Sequence, residues 1–472
     1  MKLLLLPNQL FDIRYIREIF LNDTKADIDT IILYEHPQYF TKYKYNKKRL
    51  LLHRASMMYY RDYLIKNKYS VKYIEFKDEN PLKDKKLLKN LVMFDPVDKL
   101  NVNKDITMKE TPNFLLTKEQ YQKYRDTKSK SFFFNGFYMW SKKEIDIIPD
   151  IKSQDKYNRL RADDSIKFPD LPQNTTSNEN KYIEEAIKYV EKHFPDNYGT
   201  TNDFQYPISH KTAHSWLKKF ISIKFHNFGP YQDAIIKNEN YMFHSVLSSS
   251  INIGLINPSE IIEIIKPIYN KILNNKTKIP LNSFEGYIRQ LFWREYQRFC
   301  YIYYDFTKVN FFGNTKKLDK NWYDGTLGIE PVDDTIKSAF ETGYLHHILR
   351  LMVVGNWMNL SGISPNEGFK WFMEFSCDSY EWVMMQNVMD MVFCVSGGVT
   401  MRKPYISSSN YILKMSNYKK DKKSKKSEDD LNSNWTDKWD KQYRYFLDKH
   451  KEKLLSKFAY TFAMRYGKNS SK

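Results

Sequence analysis

The chain has 472 residues, and 75 Lys and Arg against 56 Asp and Glu give it a formal net charge of +19. This length predicts two or three domains of roughly 100–200 residues each, and a hydrophobic content of 42% excludes wholesale disorder. Excess positive charge favours a polyanionic partner, because neutralising phosphates releases counterions. A coding bias towards lysine explains the same excess equally well.

Several common classes of protein are disfavoured by what the sequence lacks. No run of about 18 apolar residues occurs, and the apolar start at residues 3–6 is too short for a signal sequence. Three cysteines, Cys300, Cys377 and Cys394, are too few for a disulfide framework or a four-thiolate metal site. Neither G-x-G-x-x-G nor G-x-x-x-x-G-K-[ST] is present. We therefore expect a soluble protein in a reducing compartment, without the two commonest nucleotide-binding loops.

Short apolar runs alternate with helical stretches over the first 125 residues. A helix is predicted over 46–67, and strands are predicted over 2–6, 29–34, 69–76, 91–94 and 113–116. Such alternation is typical of a parallel sheet covered by helices, and continuous apolar strands fit a sheet buried on both faces. The sequence predicts a Rossmann-like α/β domain over residues 1–125.

The composition shifts to polar and proline-rich within residues 126–180, which predicts an interdomain connector. Beyond it the apolar spacing becomes helical, over 181–194, 210–225, 258–272, 284–303 and 344–360. No strand pattern occurs there, so we expect an all-α domain over 181–472. Its Lys-rich segment 414–430 is interpreted either as a solvated loop or as a loop that contacts phosphates.

Five polar and aromatic clusters punctuate the helical half. They are FGPYQD at 228–233, HSVLSSSIN at 244–252, EGYIRQLFWRE at 285–295, YLHHILRLMV at 344–353 and DSYEW at 378–382. Hydroxyls and free N–H groups at a helix start can hold a diphosphate. Alone, each cluster has a structural explanation: Trp293 as core, Glu285 and Arg289 as a surface pair. Their joint occurrence indicates a flavin-sized ligand.

The order of these motifs resembles the bacterial iron–sulfur branch of the photolyase/cryptochrome superfamily. The resemblance extends from LLLLPNQL (3–10) and KKRLLLHRASM (47–57) through FGPYQDA, LSSSINIGLINPSE, LNSFEGYIRQ and YLHHILRLMVVGN to KPYISSSNYILKMS, nearly the whole chain. It implies an α/β antenna domain and a helical domain that holds FAD in a U shape. It also implies a basic cavity for a lesion flipped out of UV-damaged DNA, in a monomer of the cytoplasm, nucleoid or nucleus.

The resemblance also implies roles for individual residues. The implied FAD-binding set is Tyr231, Asp233, His244, Ser245, Leu247, Ser248, Asn252, Glu285, Gln290, Trp293, Arg350, Asp378 and Asn387. The implied catalytic set is His347, His346, Tyr405, Tyr411 and Met384. The implied electron-supply residues are Trp371 and Tyr323. The residues implied to bind a ribityllumazine-type antenna are Asn8, Gln9 and Glu35.

Together these roles imply light-driven DNA repair. Photoexcited reduced FAD would donate one electron to a flipped-out pyrimidine photoproduct, and the protein would supply position and electrostatics. A lesion-side histidine can donate a proton near neutral pH. His347 therefore favours the (6-4) photoproduct over the cyclobutane dimer.

The sequence departs from this branch at three places. The four cluster-ligand positions are Pro331, Lys419, Lys422 and Trp435, none of which supplies a thiolate, so we expect no iron–sulfur cluster and no other metal. Met384 replaces a glutamate against flavin N5, and methionine sulfur is a weak acceptor; Gln386 or Asn387 could take that place. Pro7 and Asn8 replace a Gly-Asp pair, which leaves an empty antenna pocket as an equal alternative.

Two other functions remain open. A blue-light cryptochrome photoreceptor without repair activity would fit the loss of the glutamate at Met384. A nucleic-acid-binding protein without flavin is the third alternative, and a colourless protein that refuses FAD would indicate it. Illumination with each lesion separates the first two.

Overall fold

This computed structural model describes residues 1–21, 28–88, 90–102, 106–128, 132–172, 177–420 and 434–467. Five parallel strands form one sheet in the order β3-β2-β1-β4-β5. The strands are β1 (Lys2–Leu5), β2 (Thr30–Tyr34), β3 (Val71–Ile74), β4 (Leu91–Phe94) and β5 (Thr107–Lys109). The central strand β1 pairs with β2 and β4, and Leu3, Leu4 and Leu5 are fully buried. An apolar strand with both neighbours paired is what a sheet covered on both faces requires.

Helices cover this sheet and form the rest of the described chain. The first group is α1 (Ile13–Ile16), α2 (Pro37–Phe40), α3 (Lys47–Lys66), α4 (Lys85–Leu88), α5 (Lys118–Lys128) and α6 (Phe134–Ile145). The second is α7 (Ser177–His193), α8 (His210–Ile223), α9 (Phe225–Phe228), α10 (Ser248–Asn252), α11 (Pro258–Leu273), α12 (Leu281–Tyr303), α13 (Asn321–Asp324) and α14 (Glu330–Thr342). The third is α15 (Asn356–Leu360), α16 (Pro365–Phe375), α17 (Glu381–Met384), α18 (Asn410–Met415), α19 (Trp435–Lys449) and α20 (Lys451–Gly467).

Shorter helical turns interrupt this pattern. Three are π-helical, at Arg17–Leu21, Leu349–Gly355 and Met385–Val392, and two are 3-10 turns, at Pro81–Lys83 and Asp155–Tyr157. The second and third π-helical turns pack against each other: a Cβ at Gly355 would collide with a methyl group of Val392 and with the carbonyl of Arg350. Only glycine permits this close approach, which sets the position of the residues on both turns.

Four of the five predicted strands are confirmed, and the strand predicted over 113–116 is wrong. There the backbone N–H groups of Leu115 and Leu116 donate to the Glu295 carboxylate at 3.0 and 3.2 Å, so this apolar run is tied to α12 instead of the sheet. The fifth strand is the edge strand β5, whose three residues are too few and too exposed for a recognisable pattern. The predicted helix over 46–67 is confirmed as α3, capped by the Asn46 side chain on Lys48 N.

In the helical half, the predictions over 181–194, 210–225, 258–272 and 284–303 are confirmed as α7, α8, α11 and α12. The helix predicted over 344–360 is instead the π-helical turn Leu349–Gly355 followed by α15. The described residues from 177 onward contain isolated bridges but no strand. The fold is therefore an α/β N-terminal part followed by a helical part, as predicted, while the domain boundaries themselves stay a prediction.

The predicted connector carries more structure than its composition indicates. Its apolar stretch Phe134–Ile145 forms α6, which packs against α12, and Asp155–Tyr157 forms a 3-10 turn on the same helix. None of the described helices has the length and the apolar character needed to cross a membrane.

Candidate functional site

A cavity of about 400 Å³ opens in the helical half. Its walls come from α12, α18, α20, the 3-10 turn Asp155–Tyr157 and the π-helical turns Leu349–Gly355 and Met385–Val392. Aromatic rings share the wall with amide and charged side chains, and the volume lies within the range of small-molecule sites. Elements far apart in sequence therefore build one ligand-sized space.

Seven of the residues implied by the resemblance line this cavity. They are Asp233, Gln290, Trp293, His347, Asn387, Tyr405 and Tyr411. Trp293 and Gln290 project from α12, His347 lies just before the turn Leu349–Gly355, and Asn387 lies on the turn Met385–Val392. The tertiary structure thus brings one part of the predicted site together.

His347 is held by a carboxylate. Its Nε2 lies 3.2 Å from Asp233 Oδ1, and the other oxygen of Asp233 lies 3.7 Å from Arg159 Nε. Burial raises the pKa of Tyr405 and, with the nearby Asp233 carboxylate, that of Tyr411. Both phenols keep their protons at neutral pH, so this wall can donate hydrogen bonds, and the Asp233 carboxylate orients the ring of His347.

A second part of the predicted set assembles behind the cavity wall. Arg350 Nη2 donates to both oxygens of Asp378, at 2.9 and 3.1 Å, and both side chains are buried. Burial alone would raise the pKa of Asp378, but the Arg350 guanidinium and the hydroxyls of Ser248 and Ser376 outweigh it and lower that pKa. Asn252 Nδ2 donates to the Asp378 carbonyl at 2.8 Å. Arg350 itself does not line the cavity.

Buried polar atoms without a partner flank this ion pair. They are His244 Nε2, both ring nitrogens of His346, and the hydroxyls of Ser249 and Ser250. Similar atoms occur in the α/β part, among them His53 Nδ1 and Ser56 Oγ, so they do not by themselves define a site. Most buried polar groups in native proteins are hydrogen-bonded, and the atoms beside Arg350 and Asp378 are available to a large polar ligand.

Three histidines meet at this place, but they do not fit a metal ion. The ligand nitrogens of His244, His346 and His347 lie within 4.8 Å of one another. The rings of His244 and His346 stack at 4.7 Å between centroids and 12° between planes, so their lone pairs lie in separate, nearly parallel planes and do not converge on one point. Burial lowers the pKa of both rings, which are neutral and able to donate and accept one hydrogen bond each.

Other implied FAD-binding residues are occupied by contacts within the chain. Glu285 accepts from Tyr138 Oη at 3.1 Å and from Gln154 N at 3.0 Å, so it anchors the connector. The Ser245 carbonyl accepts from Trp216 Nε1 at 2.6 Å, and Leu247 is buried immediately before α10. Tyr231 packs on Phe243 at 5.6 Å between ring centroids.

The remaining implied residues lie apart from the cavity. Met384 is buried at the end of α17, whereas Asn387, three residues later, lines the cavity. Trp371 is fully buried on α16, and Tyr323 is half-buried on α13.

The implied antenna residues make hydrogen bonds at the carboxyl end of the sheet. Glu35 accepts from Arg54 Nη1 at 2.9 Å, from Tyr73 Oη and Tyr189 Oη at 2.7 Å each, and from Phe76 N at 3.2 Å. Gln9 Nε2 donates to the Phe94 carbonyl at 3.0 Å, and Asn8 Nδ2 donates to the Pro96 carbonyl at 3.1 Å. Both oxygens of Glu35 are therefore already engaged by the chain.

Aromatic contacts surround the positions that the resemblance assigns to cluster ligands. Trp435 Nε1 donates to the Lys419 carbonyl at 3.3 Å, and its ring packs against Tyr418 and Trp439. Pro331 lies in the first turn of α14. Residues 421–433 lie outside the described residues. They include Lys422 and most of the Lys-rich segment 414–430. A thiolate-ligated cluster does not fit the donors at the three described positions.

Sequence reasoning missed the charged rim of the cavity. Asp155 accepts from Arg159 at 2.6 Å and also pairs with Arg289, so the connector supplies one wall. Lys403 and Arg465 are exposed at the same cavity. The i,i+4 spacing of Asp155 and Arg159 was a readable signal, but nothing in the sequence placed Arg465 here.

Known proteins resemble this chain in parts of its sequence and in its fold. A family model described as deoxyribodipyrimidine photo-lyase-related protein matches residues 3–206. A protein of Agrobacterium fabrum named (6-4) photolyase is 36% identical over 255 residues, which span 53% of this chain and 49% of that protein. The aligned stretch thus covers about half of that relative's length.

Two solved structures show the same fold. A bacterial class III photolyase from Agrobacterium tumefaciens superposes with a TM-score of 0.55 at 14% identity, over 82% of this chain and 78% of that chain. An archaeal photolyase from Sulfolobus tokodaii, solved with two FAD molecules, superposes with a TM-score of 0.51 at 13% identity, over 83% and 85%. The architecture is therefore that of a photolyase. Over the matched residues the chain resembles the photolyase superfamily, and its bacterial (6-4)-like branch in particular.

Proposed function

We propose that this protein is a flavin-dependent DNA photolyase that repairs UV-damaged DNA in light, with the (6-4) photoproduct as its favoured substrate. The observation that carries the proposal is the cavity in which His347, Tyr405, Tyr411, Trp293 and Asn387 meet. These residues come from four separated segments, and each matches a position that the resemblance assigns to flavin or lesion. The (6-4) photolyase of Agrobacterium fabrum supports the same substrate.

The buried polar residues behind the cavity fit FAD. Ser248, Asn252, Arg350 and Asp378 form one network, and the unpartnered atoms of His244 and His346 lie beside it. We assign these residues, with Trp293 and Asn387 of the cavity wall, to holding the cofactor. When bound, FAD supplies the light absorption and the one-electron donor.

The chain's own residues would then receive the damaged nucleotide. Arg159, Arg289, Lys403 and Arg465 at the cavity favour a polyanionic strand and help to offset the cost of flipping the lesion. Asp233 fixes the ring of His347, which can deliver a proton to the lesion, and the phenols of Tyr405 and Tyr411 can donate hydrogen bonds.

For the accessory groups we propose an empty antenna pocket and no iron–sulfur cluster. Both oxygens of the Glu35 carboxylate already accept hydrogen bonds, which supports an empty antenna pocket. A ribityllumazine would have to displace the hydrogen bonds from Tyr73 and Tyr189. The absence of thiolates at Pro331, Lys419, Lys422 and Trp435 supports the second.

The direct test is blue illumination of the reduced protein with oligonucleotides that carry either lesion. We expect restored pyrimidines, and His347→Gln should lower (6-4) repair by about 10²- to 10⁴-fold, the usual contribution of a positioned proton donor. His226→Gln, on an exposed histidine outside the cavity, is the matched control. Failure of the wild type to repair either lesion would refute the proposal.

The second candidate is a blue-light photoreceptor, which the buried Met384 favours because it replaces the glutamate of the branch. Light-reversible spectral changes without repair of either lesion would establish this alternative. A Met384→Glu variant that gains repair would identify the substitution as the cause.

A further inference from the structure

Four aromatic rings connect the interior of the helical half to its surface. Trp371 and Phe340 lie 5.5 Å apart between ring centroids, Phe340 and Tyr323 5.7 Å, and Tyr323 and Tyr198 4.8 Å with nearly parallel planes. Trp371 is fully buried, whereas Tyr198 is half-exposed with Lys44 Nζ over its ring. An oxidisable side chain therefore stands at each end of this row of rings.

A buried carboxylate contacts one ring of this row. Tyr323 Oη donates to Glu374 Oε2 at 2.9 Å, and Glu374 is 1% exposed, three residues after Trp371 on α16. Glu374 Oε1 lies 3.8 Å from Lys370 Nζ, and the Lys44 backbone N–H also donates to the Glu374 carboxylate. The Glu374 carboxylate therefore accepts the hydrogen bond of the Tyr323 hydroxyl. Tyr323 is the ring that comes after Trp371 and Phe340 in this row.

Oxidation of Tyr323 needs such a group. A phenol that loses an electron becomes a strong acid, and a charge left in a buried position is costly. Burial, together with the Glu374 carboxylate, raises the pKa of Tyr323, so the phenol keeps its proton until it is oxidised. Burial also raises the pKa of Glu374, which makes its carboxylate a better base than an exposed one.

We infer that Glu374 accepts the phenolic proton of Tyr323 when Tyr323 re-reduces Trp371, and that Tyr198 is the surface end of this path. The inference rests on the proposed function, because the oxidant that removes one electron from Trp371 would be a bound, photoexcited flavin. One electron then passes from Tyr323 to Trp371, while the O–H bond of Tyr323 breaks and the proton moves to Glu374 Oε2. The products are neutral Trp371, a neutral tyrosyl radical and a protonated Glu374.

The cycle closes with an external reductant. An exogenous thiolate donates one electron to the radical, with Tyr198 as the exposed ring through which it arrives. The proton returns from Glu374 to the phenol oxygen, which restores Tyr323 and the carboxylate. The thiolate becomes a thiyl radical, and the flavin would retain the one electron that left Trp371, so electrons and protons balance.

Transient absorption and electron paramagnetic resonance of the oxidised, flavin-loaded protein after a blue flash test this step. In the wild type we expect a tyrosyl radical whose formation slows in D₂O. Glu374→Gln should slow that formation by about a hundredfold, the lower range for a positioned proton acceptor. Tyr323→Phe should abolish the radical and leave oxidised Trp371 longer-lived.

The matched control is Glu367→Gln, on the same helix. Glu367 adds negative charge near Tyr323 without bonding to its hydroxyl, so this control should keep the wild-type rate and isotope effect. A wild-type rate in Glu374→Gln, or an unchanged radical in Tyr323→Phe, would overturn the inference. A merely structural role for Glu374 would change thermal stability and leave the isotope effect intact.

Chemical reduction separates this inference from the proposed function. With flavin reduced by dithionite the electron-supply path is not needed, so Glu374→Gln should repair lesions at the wild-type rate. Failure of the dithionite-reduced wild type to repair would count against the proposed function alone. A chain that binds no flavin would overturn both.

Discussion

Two buried arginines of this protein stand in opposite situations. Arg54, at the sheet, pairs with Glu35, Glu75 and Glu185, and both oxygens of Glu35 also accept hydrogen bonds from tyrosines. Arg350, in the helical half, pairs with Asp378 beside histidine and serine atoms that have no partner.

The difference separates a structural polar network from the proposed ligand site. Burial of polar groups is tolerated when the chain itself satisfies them, as at Arg54, which joins α3 to α7 through Glu185. Unpartnered buried atoms also occur near Arg54 on α3, at His53 Nδ1 and Ser56 Oγ, so the contrast rests on the ion pairs themselves. Around Arg350 and Asp378 we propose a bound cofactor. The two regions should therefore respond differently to substitution.

The largest effect is expected at the ligand site. Arg350→Met leaves the Asp378 carboxylate buried without its cation, which should cost about 3–5 kcal/mol of unfolding free energy and remove bound FAD. Urea unfolding and the flavin absorbance of the purified protein measure both. Arg61→Met, at a partly exposed pair with Asp62, is the control and should change neither. An Arg350→Met protein that keeps its flavin would contradict the proposed contrast between the Arg350 and Arg54 regions.

A pH dependence is expected where the two regions meet. Asp98 follows β4 and accepts from Trp382 N at 2.9 Å; burial, with the nearby Glu381, raises its pKa to about 7, although Arg49 and Lys42 oppose this. Below about pH 4 the group is protonated in both states and costs nothing. As the pH rises to about 7 the unfolded chain loses its proton first, so stability falls by up to roughly 4 kcal/mol.

Asp98→Asn should flatten this dependence, because the amide does not titrate. Unfolding free energies across this pH range provide the measurement. If the variant and the wild type lose stability in parallel, Asp98 is not the responsible group.

A smaller effect is expected at the sheet. Glu35→Gln removes the charge that Arg54 and the two tyrosines share, and should cost about 1–3 kcal/mol of unfolding free energy without changing flavin content. A bound antenna chromophore that disappears in this variant would show that the saturated network also serves a ligand, and would weaken the contrast with Arg350.

The smallest effect is expected at the cavity rim. If Lys403 contacts a phosphate, Lys403→Ala should lower the slope of log affinity against log salt for lesion-bearing DNA by about 0.9, with little change in repair at low salt. Lys266→Ala, on an exposed lysine of α11, is the control. Equal slopes for both variants would place Lys403 outside the DNA contact.

Much of the fold was readable from local patterns. The apolar runs that became β1 to β4 and the periodic stretches that became α7, α8, α11 and α12 follow from side-chain spacing, which depends only on near neighbours. The edge strand β5 and the helix α6 were not predicted, the first because it is short and the second because the residues that follow it are polar and proline-rich.

The site was readable only in part. The motif order identified His347, Tyr405, Tyr411, Trp293 and Asn387, and the structure brings these five to one cavity. It also identified Glu285, but that carboxylate holds the connector through Gln154 N, a contact between residues 131 positions apart. The pairing of Asp155 with Arg289 is equally distant and equally invisible to local patterns.

The sequence alone specified the available residue types, most of the elements that they form and the resemblance that their order carries. The tertiary structure decided where the side chains point: a π-helical turn at Leu349–Gly355 directs Arg350 towards Asp378, while Leu351 and Met352 line the cavity. The physical reason is that helical period is a local property. The direction of a side chain on a non-standard turn depends instead on what packs against it from distant parts of the chain.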